Sequence, residues 1–449
     1  MGQTLQLTGN CYKVDVASIL PVGYLDNPSA GFSCRYHPDL RKVFILCLCR
    51  NGVGNLDARV YTFDGSNFTD ITTQFPKFSN VLSAALGLQT TTYVTPNNCV
   101  SYNPITHNMY IGVNNKSSTH AGYLYKIDQN GVITDMLLDG LTPGVTDPII
   151  DLITGIADEP TGTVCVTAVS ESADVKKIFF RTAAGVWSDI SPNTSFTLEG
   201  VVWFPDIPAY VALGHGGSWA TITTAGVATD KGVGLLTYTA GASQYYYKSP
   251  NAATGSVYFA QTGHATDGSS TGGLFALSSA LVLSAQLATI RPDDSMVTVE
   301  PNRGIIVGVF GASVGLAGPV FPQSFNVYEV DGPTSTPVKA TDISNQANNS
   351  ANGFGRPPMY SDSFLAQNLD TSTIPNIATG AAIWVEDGSD LVLAAFDGTA
   401  GMLFGIGIYA DYQTAFAANR SVWHDACHAL GAVGAGSGLM FVWWTYTVV

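Results

Sequence analysis

Residues 99–113 read CVSYNPITHNMYIGV: a short apolar stretch, an Asn-Pro turn, then a second apolar run. Proline fixes φ at the turn and cannot donate to a central ladder, so the segment reads as strand, tight turn, strand. The same phrase recurs along the chain. It appears as FSCRYHPDLRKVFILCL at 32–48, TGIADEPTGTVCVTAV at 154–169 and GVVWFPDIPAYVAL at 200–213. It returns as YYYKSPNAATGSVYFA at 245–260 and MVTVEPNRGIIVGVF at 296–310. In a seventh copy, AAIWVEDGSDLVLAAF at 381–396, an Asp-Gly turn around Asp387 replaces proline.

Downstream of several anchors a second pattern repeats. ARVYTFDGSNFTDIT (58–72), GYLYKIDQNGVITDML (122–137) and KIFFRTAAGVWSDIS (177–191) are strand, polar turn, strand, and FNVYEVDGPTSTPVKATDI (325–343) conforms more loosely. These are hairpin signatures. Each unit is therefore four consecutive antiparallel strands, and units spaced by 45 to 86 residues place their insertions in the loops. The repeat resembles that of β-propeller proteins, in which a first strand precedes a proline-containing turn in the same way. Over residues 31–416 the resemblance implies an all-β fold, a propeller of about seven four-stranded blades with extra terminal strands. The Trp-Asp, double-glycine and sialidase-box signatures of named propeller subfamilies are not in the sequence.

Three segments stand outside the repeat. Residues 1–30 carry one or two strands able to close the ring, and residues 345–377 form a polar insertion before the last unit. Residues 417–449 end in GLMFVWWTYTVV, apolar on both faces of a strand, which is expected only where both faces are covered. Leu439, Met440, Phe441, Trp443, Trp444 and Tyr446 are accordingly read as interface residues, paired in ring closure or against a neighbouring subunit, with the neighbour preferred because residues 1–30 can supply closure.

Composition narrows the function. The chain has 449 residues, 46% hydrophobic and 12% charged, with a net charge of −15. Beyond Lys231 the basic residues are Lys248, Arg291, Arg303, Lys339, Arg356 and Arg420, too dispersed to grip phosphates, so tight nucleic-acid binding is not expected. The start lacks a signal-peptide pattern and no apolar run reaches the roughly 18 residues of a membrane helix, so synthesis in the cytoplasm without membrane insertion is expected. The seven cysteines are odd in number and scattered, which suits small buried hydrophobes better than a disulfide framework.

Motifs that could carry chemistry each lack a partner. On a helix His424 and His428 would share one face with Cys427 adjacent, but no distant third ligand and no protease glutamate accompany them. Asp128–Gly131, Asp267–Gly273 and Asp387–Asp390 lack the full alternating carboxylates of a calcium loop, and Gly214–Trp219 lacks the lysine and helix of a phosphate cradle. Tyr245, Tyr246 and Tyr247 with Trp187, Trp203 and Trp219 could line a sugar-binding surface, but alternating aromatics on such strands are more often core. No cofactor, metal or catalytic residue is expected. The favoured reading is a non-enzymatic structural protein that docks to other subunits, as a homo-oligomer or ring, in a virion. In architecture the chain is similar to tail nozzle or hub proteins of short-tailed phages. A carbohydrate- or receptor-binding propeller and a propeller enzyme, hydrolase or lyase, are the alternatives.

Overall fold

A computed structural model describes residues 5–7, 12–26, 32–50, 56–78, 100–113, 122–141, 152–170, 175–191, 198–214, 219–232, 245–251, 256–261, 272–278, 280–284, 288–290, 294–299, 306–312, 323–329, 338–342, 381–384, 390–395, 400–411 and 438–448. Their strands form seven antiparallel sheets, numbered here in chain order, and five of these, sheets 2 to 6, have four strands each. Within each of these five, every strand pairs with the next in sequence, as hairpin connections require.

Apart from the N-terminal strands and Ala381–Trp384, the first strands of the seven sheets are Phe32–His37, Val100–Asn103, Leu152–Asp158, Leu198–Phe204, Tyr245–Asn251, Asp294–Val299 and Asp390–Ala395. Each lies beside the next, and the seventh lies beside the first. A closed circle of radially arranged antiparallel sheets is a β-propeller. The ring covers the faces of the sheets and leaves only short outer edges, the last strands of sheets 1 to 5 being three residues long.

Among the described residues the core is divided in the same way, one apolar cluster at each joint from that of sheets 7 and 1 round to that of sheets 4 and 5. On Lys42–Arg50, Val43, Ile45, Cys47 and Cys49 pack toward sheet 7, while Phe44 and Leu46 pack toward sheet 2. Sheet 2 repeats the alternation: Met109, Ile111 and Val113 join the cluster with sheet 1, and Tyr110 joins that with sheet 3. A strand covered on both faces reads as a continuous apolar run, which is why KVFILCLC shows no polar alternation. Cys34, Cys47, Cys49 and Cys165 are buried thiols within these clusters.

Sheet 7 holds the closure. Gly438–Val448 pairs along one edge with Ala400–Asp411 and along the other with Leu5–Leu7 and Tyr12–Asp15. Both chain ends thus meet in one sheet. From Tyr12–Asp15 the chain passes through a short helix, Val16–Ile19, to Leu25–Asp26, which pairs with Cys49 and Arg50 of sheet 1. The N-terminal segment therefore straps sheet 7 to sheet 1.

One expected turn is corrected. Ala381–Trp384 and Asp390–Ala395 do not pair with each other across Asp387; both lie along the same edge of Ala400–Asp411. Asp390–Ala395 pairs instead with the strand that follows it, Ala395 facing Gly401, and a second Asp-Gly pair, Asp397-Gly398, stands between these two strands in the sequence. Two Asp-Gly pairs ten residues apart are equivalent locally, and only the pairing partner separates them.

Candidate functional site: the turn end of the ring

Because strand direction alternates, the first turn and the third turn of every four-stranded sheet lie at the same end of the ring. At that end the residues flanking the anchor prolines bond sheet to sheet. Between sheets 1 and 2, Tyr102 donates its hydroxyl to Asp39 Oδ2 at 3.2 Å, and His107 Nδ1 lies 3.0 Å from the same oxygen. His37 is fully buried behind them, its ring between Phe44 and Tyr102 with centroids 6.0 and 5.0 Å away. Neither ring nitrogen of His37 makes a well-formed hydrogen bond, and Nδ1 stands 3.7 Å from Asp39 Oδ2. Burial lowers its pKa to about 4, since the pull of Asp39 and Asp128 on the imidazolium is weaker than the loss of water.

Between sheets 2 and 3 the fastener is Asp158, 1% exposed. Asn103 Nδ2 donates to its Oδ1 at 2.8 Å and to its backbone carbonyl at 2.9 Å. Asn108 Nδ2 and the Tyr110 hydroxyl donate to Oδ2 at 2.8 and 3.2 Å. Desolvation raises the pKa of this carboxyl even against these donors, and it pushes the Tyr110 hydroxyl up as well. The neighbouring Glu159 is buried but held below its usual range: burial raises it, and the donors of Thr161 and Thr163 outweigh that. Thr163 in turn meets sheet 4, where the Tyr210 hydroxyl lies 2.8 Å from its Oγ1 and donates to its carbonyl at 2.9 Å. In these joints the acceptors of Asp158 and Glu159 are taken by structural donors. The arrangement fastens sheets.

The third turns carry a second repeated feature. In sheet 2 the turn closes through Asp128 N–H to Val132 O and Gly131 N–H to Asp128 O, with Val132 N–H donating to Asp128 Oδ1. Thr182 with Val186, Thr223 with Val227 and Ser278 with Val282 repeat all three bonds in sheets 3, 4 and 5. Gly131, Gly185 and Gly226 hold the left-handed position, as does Leu281 in sheet 5. The valine next in sequence is 56%, 63%, 58% and 61% exposed in the four sheets. Four apolar tips thus stand at one end of the ring, one per successive sheet.

The residues singled out in the sequence fall variously. Phe441 and Trp443 are buried in the cluster between sheets 7 and 1, against Phe63, Phe68 and Tyr61. Leu439, Met440, Trp444 and Tyr446 lie in the same doubly paired strand, and their side chains lie outside the described residues. Trp203 is 5% exposed core, Trp187 donates its indole N–H to the Met136 carbonyl, and Trp219 is part-buried against the cluster of sheets 4 and 5. The side chains of Tyr245, Tyr246 and Tyr247, the segments 345–377 and 417–437 with His424, Cys427 and His428, and most of Asp267–Gly273 and Gly214–Trp219 lie outside the described residues. Asp128–Gly131 is a hairpin turn. Among the described residues no group of three or more His, Cys, Asp or Glu is placed to hold a metal ion, and no helix is long and apolar enough to cross a membrane.

The fasteners are absent from the residues that the sequence singled out. Their signal is a polar residue within two positions of the anchor proline, Asp39, Asn103, Asp158 and Glu159.

No protein-family model matches the chain, and no curated protein matches it. Solved structures to which it is similar include a protein from Lactobacillus plantarum, at 12% identity, covering 76% of this chain and 96% of that one with a TM-score of 0.42. An oligogalacturonate lyase in complex with manganese is similar at 10% identity, covering 86% of this chain and 95% of that one with a TM-score of 0.43. Chaetomium thermophilum Raptor is similar at 9% identity over 100% of this chain and 30% of that one, TM-score 0.43. Likenesses this distant carry no functional assignment; the fold rests on the strand pairing described above.

Proposed function

We propose that this propeller is a non-enzymatic structural protein that docks to neighbouring protein subunits through the turn end of the ring. The observation that supports it is the exposed valine at the same third-turn position in four successive sheets. Backbone hydrogen bonds and an Asp, Thr or Ser side chain already close each turn, so the turn does not need an apolar tip. A series of apolar tips around one end suits a broad protein contact better than a small ligand. The finer form of this reading is a virion component of a bacteriophage tail, supported by the scarcity of charged residues, 12% of the chain, and by strands rich in Ala, Gly, Thr, Ser and Asn.

The test is a set of four substitutions, Val132→Asp, Val186→Asp, Val227→Asp and Val282→Asp, in one chain. The variant is expected to keep its circular dichroism and unfolding midpoint while losing self-association, or co-purification with its neighbours in native particles, by at least tenfold. Undiminished assembly would overturn the docking end. Identifying cross-linked neighbours in the native particle tests the virion reading separately.

A further inference from the structure

The chain has seven histidines, and the two that lie among the described residues, His37 and His107, meet in one joint, that between sheets 1 and 2. His37 ends the first strand of sheet 1, fully buried, with Lys42 as its ladder partner and Phe44 against its ring. From sheet 2 it faces Tyr102, His107 and, in the third turn, Asp128. Its two ring nitrogens are left without a well-formed hydrogen bond, and Asp39 Oδ2 stands 3.7 Å from Nδ1. That oxygen already accepts from the Tyr102 hydroxyl at 3.2 Å and lies 3.0 Å from His107 Nδ1. Two histidines therefore share one carboxylate oxygen with the bond that ties sheet 1 to sheet 2 at the turn end.

A proton arriving on His37 is not satisfied while the joint is shut. Imidazolium donates from both nitrogens and needs two acceptors or water. Taking Asp39 would draw it from Tyr102 and His107, and a protonated His107 would add a like charge. Opening the joint hydrates the ring directly. The buried ring has a pKa of about 4 and a hydrated one 6.5, so the open form binds the proton first. Its share grows as pH falls from 6.5 toward 4 and is lowest above that range. The next joints behave otherwise. Between sheets 2 and 3 burial raises the carboxyl of Asp158, so acid favours its folded form. Between sheets 3 and 4 Glu159 is held below its ordinary 4.5, so mild acid leaves it charged.

We propose that the joint between sheets 1 and 2 is an acid latch, shut over a neutral His37 at neutral pH and opened reversibly at the turn end in mild acid, while sheets 2 to 4 stay packed on one another. On opening, the first turn of sheet 1 parts from Tyr102 and His107, carrying Asp39 and uncovering Leu40, which packs on the apolar cluster of this joint. The latch does not depend on what docks at this end of the ring.

The test is hydrogen exchange of the full chain, read by mass spectrometry at pH 7.5 and pH 5.0 and corrected for the intrinsic effect of pH on amide exchange. Segments 32–48 and 100–113 report the latch, and 154–169 and 200–213 report the next joints. Protection of the first two is expected to fall at least tenfold more than that of the last two, and to return at pH 7.5. Values of 6.5 and 4 allow a fall of roughly 25-fold between these two conditions. His37→Leu should abolish the difference, and His37→Gln takes its place if the leucine variant does not fold. An equal fall in all four segments would overturn the latch, and so would a difference that persists once His37 is replaced.

Discussion

Asp158 and His37 illustrate how differently a buried polar residue can be accommodated. Asp158 fills both oxygens with donors from sheet 2, so its burial is compensated. Asp158→Ala leaves Asn103, Asn108 and Tyr110 without their acceptor, and a loss of about 3 kcal/mol is expected in urea denaturation at pH 7. Asn103→Ala, which removes one donor and leaves others in place, should cost less, about 1 kcal/mol. His37 has no such set of donors or acceptors and is folded as the neutral ring. Its pKa is about 4 in the fold against 6.5 free in water, so the unfolded chain binds the extra proton between those values. Stability is therefore complete above pH 6.5 and falls as pH drops toward 4, by about 3 kcal/mol from this residue. The check is the urea midpoint at pH 7.5 and pH 4.5 for the unsubstituted chain and for His37→Leu. The drop should be smaller in the variant; equal drops would show that other groups carry the acid sensitivity. The sequence displays both residues within two positions of an anchor proline, but their opposite treatment depends on what faces them across the joint.

At the scale of the element, the first strands carry register shifts at Ile153/Gly155 and Leu198/Gly200 in sheets 3 and 4. These bulges bring the two backbones together: a Cβ on Gly155 would stand 2.4 Å from Gly200 Cα and 2.5 Å from Val201 N. No side chain can move aside there, so Gly155→Ala should destabilise by about 3 kcal/mol or abolish folding. At Gly112 the obstacle is the end of a flexible side chain, Ile153 Cδ1 at 2.9 Å, and Gly112→Ala should cost only about 1 kcal/mol. Thermal midpoints of the two variants, measured together, check the ranking, and a reversed order would refute the close-approach account. The strand–proline–strand phrase makes the first hairpin of sheets 1 to 6 legible because proline and apolar runs are local properties. The last hairpin is misread at Asp387 because a second Asp-Gly pair stands ten residues on in the sequence, between the two strands that do pair.

For the whole molecule, the decisive feature is that both chain ends lie in sheet 7. Gly438–Val448 is paired on both edges and puts Phe441 and Trp443 into the joint with sheet 1. Deleting residues 439–449 should therefore abolish cooperative unfolding and yield insoluble chain. Burial of each large apolar side chain is worth about 1.5–3 kcal/mol, and two joint-filling aromatics go with the strand. A soluble truncated monomer with native circular dichroism would show instead that the strand is dispensable to the ring and free for another purpose.

By itself the sequence determined the class of fold: the period of the hairpins, the turns that punctuate them and the apolar runs of strands covered on both faces are all set within a few tens of residues. It also determined that the C-terminal strand must be covered. What covers it was decided only by the tertiary structure. Pairing between residues 5–15 and 440–448, the sheet-to-sheet bonds of Asp39, Asp158 and Tyr210, and the backbone contact at Gly155 each join distant positions. Ring closure brings the chain ends together and the packing of successive sheets brings the other pairs together, and no local propensity encodes which distant partner an edge, a carboxylate or a glycine will meet.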